Sequence, residues 1–256
     1  VVLVGCVVED NSASDDVGGV YQEGGAITVS DCTFTGNTSG DDGGGLYASN
    51  AIITVTDSRF VANMVPEDGA GLEVRDSQLQ LSNSVFDDND ASQGAGLMAV
   101  RSDVDIRACQ FTANKALISS SNEEMAGGAI EFHSCPSITV TASDFEDNQA
   151  DSGGALCLQN PFDHPNPTYF IEGCFFDSNL SIGSGGAISI GSNFGLIQGC
   201  SFRDNDASIQ GRAIFAADGG GGFHLEYADS TFCGSGLQPV ETNDPGMLVD
   251  GGGNVI

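Results

Sequence analysis

Positive charge is scarce in this chain: 7 lysines and arginines stand against 36 aspartates and glutamates, a formal net charge of −29. So acidic a surface repels phosphate backbones and anionic headgroups, which excludes nucleic acid and anionic membranes as direct partners without a bridging cation. No apolar run approaches the roughly 20 residues that a membrane-spanning helix needs, so direct membrane insertion is not expected. Helical spacing of apolar residues is also missing, and aromatic residues make up only 7%. High acidity with few aromatics describes disordered chains too, but strict apolar alternation argues for a packed core. With 40% apolar content, a 256-residue chain can bury a core of useful size.

The opening VVLVGCVV lacks a basic leading region. Shifted by 26 residues, Val1, Leu3, Cys6, Val8 and Asn11 fall on Ile27, Val29, Cys32, Phe34 and Asn37. The run therefore reads as a repeat strand, not as a secretory segment or a lipoprotein cleavage box. The chain is expected to start mid-array, with any signal or anchor outside it.

Repetition is what the sequence has in abundance. Asn11, Asn37, Asn63 and Asn89 follow one another at 26 residues, and the last three each sit three residues after Phe34, Phe60 and Phe86. The beat continues at Phe111 with Asn114, Phe145 with Asn148, Phe176 with Asn179 and Phe202 with Asn205, and a degraded copy follows at Phe232. Before each phenylalanine, apolar residues alternate, as in Ile27 and Val29, Ile53 and Val55, Leu79 and Leu81. Alternation of this kind is a strand with one buried face. A second strand follows glycine pairs, in GGLYA from Gly44, GGAIEF from Gly127, GGALCL from Gly153 and GGAISI from Gly185.

Three short strands per repeat, joined by glycine and asparagine corners, wind a coil whose strands pair with the coils above and below. The fold is expected to be all-β, a parallel β-helix (solenoid) of about eight to nine coils, rising roughly 4.8 Å per coil to a rod on the order of 40 Å. Residues 1–232 form the repeat domain, and 233–256 an irregular C-terminal segment or a terminal coil. The phenylalanines should stack inside. The asparagines should line one corner, where Asn tolerates left-handed backbone and its amide can bond to the next coil. Two repeats are longer, at 34 and 31 residues, and the excess falls in KALISSSNEEMA (115–126) and QNPFDHPNPT (159–168). Those segments read as protruding loops, the favoured seats of function.

The pairing of GGA[IL] with F-x-x-N, as in GGAIEF followed by FEDN, resembles the repeat of chlamydial polymorphic outer-membrane proteins and related secreted β-helices. The likeness runs over residues 1 to about 232, with imperfect copies at Gly211-Arg212-Ala213 and Phe232-Cys233. It implies an exported, extracellular passenger associated with adhesion, at the cell surface or secreted. With the general rule for parallel crossovers, it also implies a right-handed coil. FCGSG followed by DGGGNVI resembles the close of repeat arrays in large secreted bacterial β-helix proteins.

Acidic pairs precede the glycine corner at Asp15-Asp16, Asp41-Asp42 and Glu67-Asp68, again 26 apart. Stacked one coil apart, such carboxylates repel unless they are solvated or bridged, and calcium is the cation their oxygens suit. Glu73, Arg75, Arg101 and Asp103 are the other binding candidates. Arg75 and Arg101 fall at comparable places in adjacent repeats, where cross-coil ion pairs are the plainer reading. Asp163 and His164 are singled out because they lie on a long loop. His133 and His224 are isolated, and no metal-ligand spacing links the histidines.

Parallel β-helices of pectin-lyase-like architecture include enzymes resembling pectate lyases and polygalacturonases. Their chemistry needs converging carboxylates, or calcium with a basic residue, plus a cationic groove. The Asn-Thr-Asp, Gly-His-Gly and Arg-Ile-Lys signatures are missing here, so a carbohydrate-cleaving enzyme is the alternative to a module without catalysis.

Cys6, Cys32, Cys109, Cys174 and Cys200 share one inward position that serine fills elsewhere, and read as small packing residues with free thiols. Cys135 and Cys157 lie outside that row and are the better disulfide candidate. Outward threonines at Thr28, Thr54, Thr139 and Thr141 suggest a flat ice-binding array, which Gln80, Asp105, Phe170 and Glu226 interrupt. The sequons at Asn37 and Asn179 use ladder asparagines, where a glycan would break the stack. The reading is an extracellular structural or adhesive module. Its partners would be further segments of the same protein, copies of itself, glycans or surface proteins.

Overall fold

A computed structural model describes residues 1–117, 126–159, 168–191, 194–217, 224–234, 240–242 and 248–255. Every pairing between its strands is parallel, and the strands fall into sheets of 17, 9 and 5. This is the expected parallel β-helix. One turn can be followed from Leu72–Arg75 through a corner into Gln78–Ser82, round to Val85–Asp87, past Asn89 into Asp90–Ala91, and so to the next coil at Leu97–Val100. Register between coils is residue on residue: Leu72 pairs with Leu97, and Leu97 with Ile130. Near the end, Val240–Thr242 and Leu248–Gly252 add in parallel to Ile214–Ala217 and His224–Ala228.

Alternation decides what fills the coil. Leu79, Leu81, Val104, Ile106, Leu72 and Val74 point inward and are buried. Phe34, Phe60, Phe86, Phe111, Phe145, Phe176, Phe202 and Phe232 stack in one column, with ring centroids 4.7 to 5.1 Å apart and planes within 9°. Stacked strands force that spacing, since neighbouring coils repeat at roughly 4.8 Å. At one point a glycine is required by the core itself: a Cβ on Gly195 would lie 2.6 Å from Cγ of Tyr169, whose ring occupies the space.

The asparagine corner is built differently from the expectation. The left-handed residue is the one before each asparagine: Gly36, Ala62, Asp88, Ala113, Asp147, Ser178 and Asp204 all have φ between 50° and 63°. The asparagines face inward, and Asn37, Asn63, Asn89, Asn114 and Asn148 are wholly buried. Each amide is used in full. Asn63 Nδ2 donates to Asn89 Oδ1 in the next coil and to the Phe34 carbonyl in the previous one. Its Oδ1 accepts both the backbone N–H and Nδ2 of Asn37. A second polar row occupies the position of Cys32, Ser58 and Ser84, where Ser58 Oγ accepts the Cys32 N–H and Ser84 Oγ the Ser58 N–H, each at 3.1 Å. These side chains bond the corner as well as fill space.

All eight cysteines are free, the disulfide candidates Cys135 and Cys157 included. Cys157 stands opposite Glu131, four residues ahead of Cys135 in its own coil. At about 3.3 Å per residue the two lie on the order of 13 Å apart along the strand direction, far beyond disulfide reach.

Candidate functional site

The acidic pairs lie on the turns that lead from the asparagine corner into the glycine-led strands. Backbone bonds stack these turns, with Gly40 N–H donating to Asp15 O and Gly43 N–H to Asp68 O, both at 3.0 Å. Asp68 N–H also donates to Asp42 Oδ1 at 3.2 Å, fixing one carboxylate against the next coil. The stacking brings all six predicted acidic residues into overlapping groups. Asp15, Asp16 and Asp41 can present carboxylate oxygens within 4.8 Å of one another; so can Asp41, Asp42 and Glu67, and so can Asp42, Asp68 and Glu73.

Glu73 is the member that alternation misplaces. On the strand Leu72–Arg75 its side chain points away from the core, so the sequence implies exposure. Gly69 overturns this. With φ +64°, it folds the turn back onto the strand so closely that a Cβ there would meet Glu73 Cβ at 2.6 Å. The glutamate is buried completely, and its Oε2 has no hydrogen-bond partner. The same row holds Tyr47 and Met98 in the adjacent coils and, beyond them, Glu131, a second wholly buried glutamate, and Cys157.

Arg75, two residues on and on the same face, sets its Nε against Glu73 Oε1. Its Nη2 lies 3.3 Å from Asp42 Oδ2 and 3.2 Å from Asp68 Oδ2. One guanidinium thus serves three carboxylates. Burial, only partly offset by Arg75, pushes the Glu73 carboxyl up to about 9. Burial likewise raises Asp42 above the usual carboxylate range, against the pull of Arg75. Glu67 is raised chiefly by its hydrogen bond to Asp41. Burial, then the Glu73 charge, lifts the Tyr47 phenol to about 12. Burial opposes the charged Arg75, but Glu73, Asp42 and Asp68 outweigh it and hold the guanidinium above its ordinary value. Chemically, this is an all-oxygen cluster with more negative charge than its one arginine balances.

Arg101 and Asp103 lie elsewhere. The register sets Arg75 opposite Val100, so Arg101 is one position further, on the corner with φ 46°, and the two arginines do not share a row. Arg101 is paired across coils to Asp76 through two contacts of 2.7 Å. Around it runs an open groove of about 520 Å³ lined by Asn50, Asp76, Gln78, Arg101, Asp103 and others. Asp105 is a third location, paired with Arg107 at 3.0 Å on the outer face. Asp163 and His164 lie outside the described residues, as does most of each long loop.

The sequence of residues 1–111 matches the family model described as a right handed beta helix region. No curated protein and no solved structure matches the chain. The coil is a right-handed parallel β-helix.

Proposed function

We propose that this β-helix is a structural or adhesive module of a larger surface or secreted protein, and that it carries out no catalysis. The observation that carries the reading is the dispersal of its reactive side chains. Glu73 with Arg75, Arg101 with Asp76, and Arg107 with Asp105 occupy three separate places, each arginine already tied to carboxylates. Arg203 and Arg212 are likewise placed beside Asp177 and Asp206. A cationic groove for an acidic sugar would need those arginines released. Meanwhile the phenylalanine and asparagine columns hold a rigid interior, and the outward positions vary from coil to coil, which suits display. The paired GGA[IL] and F-x-x-N motifs resemble those of exported chlamydial passengers, which supports an extracellular setting.

Further segments of the same protein, or another copy, would stack on the coil ends, and glycans or surface proteins would be met along the sides. For a glycan, the groove beside Asn50, Gln78 and Arg101 is the favoured seat, since amides, a guanidinium and the exposed Ile52 line it together. The test exposes the purified chain to immobilised glycans and to a panel of neutral and acidic polysaccharides, reading retention and release of cleavage products. Retention without product is expected. Product formation abolished by Arg101→Ala or Asp103→Asn would replace this reading with the carbohydrate-cleaving enzyme.

A further inference from the structure

We propose that Asp42, Asp68 and Glu73, with Asp41 and Glu67 completing the oxygen set, hold a calcium ion on the glycine-corner face. The site does not depend on whether the module adheres. Three independent features carry it. The carboxylates of Asp42, Asp68 and Glu73 can present oxygens within 4.8 Å of one another, and Asp42 links them to the group of Asp41 and Glu67. Glu73 is fully buried with Oε2 unpartnered, and burying an uncompensated carboxylate oxygen costs free energy that a ligand can relieve. Finally, a single guanidinium faces the three inner carboxylates, so charge remains to be balanced.

The donor set selects the ion. It offers oxygen alone, without nitrogen or sulfur, which favours a hard cation. Calcium accepts six to eight oxygens in irregular geometry, whereas magnesium demands a near-ideal octahedron and gives up its waters reluctantly. Side chains contributed by two stacked turns and a strand fit the first description. Asp15 and Asp16, one coil away from Asp41, are exposed, and they reach the proposed set through Asp41 alone. They are therefore assigned to solvent and serve as the control. Arg75 contacts the same oxygens and is the internal competitor: it must turn outward when the ion enters, which its partly exposed side chain permits.

The test titrates calcium calorimetrically into the intact chain, into Glu73→Gln, Asp68→Asn and Arg75→Ala, and into the double variant Asp15→Asn/Asp16→Asn, with circular dichroism verifying the fold of each. One ion is expected to bind with a dissociation constant on the order of 10⁻⁴ to 10⁻³ M, the weak end of protein calcium sites. Magnesium should bind more weakly. Glu73→Gln and Asp68→Asn should each weaken calcium binding at least about tenfold, Arg75→Ala should tighten it, and the double variant should match the parent. Two inner variants are included so that misfolding of one leaves the other decisive. Absence of binding to the parent chain overturns the proposal, as does non-stoichiometric binding that falls equally in the inner and control variants. Arg75 alone would then neutralise the cluster.

Discussion

Asn63 donates its Nδ2 hydrogen to Oδ1 of Asn89 at 3.0 Å, and the same oxygen accepts the Asn63 backbone N–H at 3.1 Å. Asn89 passes the arrangement on, giving its own Nδ2 hydrogens to Asn114 Oδ1 and to the Phe60 carbonyl. No polar atom of these amides is left to water, so the column ties each coil to both neighbours.

Asn89→Ala should therefore strand two donors of Asn63, its backbone N–H and its Nδ2, inside the coil. The expected loss is about 1–3 kcal/mol per buried group left unsatisfied, moderated by local relaxation. Phe86→Ala, in the adjacent column, should cost about 3–5 kcal/mol through lost packing and the cavity left behind. Urea unfolding of both variants measures this. A loss below about 0.5 kcal/mol for Asn89→Ala, the range of ordinary surface changes, would show that the amide column is dispensable.

Acid should weaken one specific pair. Asp177 is nearly buried and bonded to Arg203, which holds its carboxyl below the ordinary 3.8. A carboxylate with a lowered folded pKa contributes stability that is present above 3.8 and lost as pH falls through the lowered value. Because Arg203 is half exposed, the contribution is ~1 kcal/mol or less. Thermal melts should show Asp177→Asn less stable than the parent at neutral pH, with the difference closing near pH ~2. A difference that persists undiminished in strong acid would mean the side chain acts through packing instead.

Thiol chemistry should follow exposure. Cys233 is exposed, Cys6 is partly covered, and the other six cysteines are buried. Burial pushes the Cys109 thiol to about 11 and the Cys135 thiol to about 12, so neither supplies much thiolate at neutral pH. Alkylation of the native chain, read by mass spectrometry, should modify Cys233 first and Cys6 more slowly, while unfolding without reductant should expose all eight. Finding Cys135 and Cys157 protected together after unfolding would restore the bridge that the register forbids.

How much could be read from the sequence depended on how local each cause was. The phenylalanine and asparagine columns were legible because stacking demands the same residue at the same place in every coil. The acidic pairs were legible as a period, and their convergence followed from it. Glu73 was not, since period-two alternation sends it outward, where the turn at Gly69 and the Arg75 side chain close over it. The asparagine conformation was misjudged because the preference of Asn for left-handed backbone is local, whereas its inward amide bonds are made between coils. The Cys135–Cys157 pairing failed for a related reason. Membership of adjacent coils was readable, but the four-residue offset between the rows needed the register.

The most direct test of the charged corner is a crystal structure of the chain grown in calcium. An ion peak bounded by Asp42, Asp68 and Glu73 is expected, with oxygens at roughly 2.3–2.6 Å and Arg75 turned outward. Arg75 still lying across those three carboxylates in saturating calcium, with no ion peak among them, would contradict it.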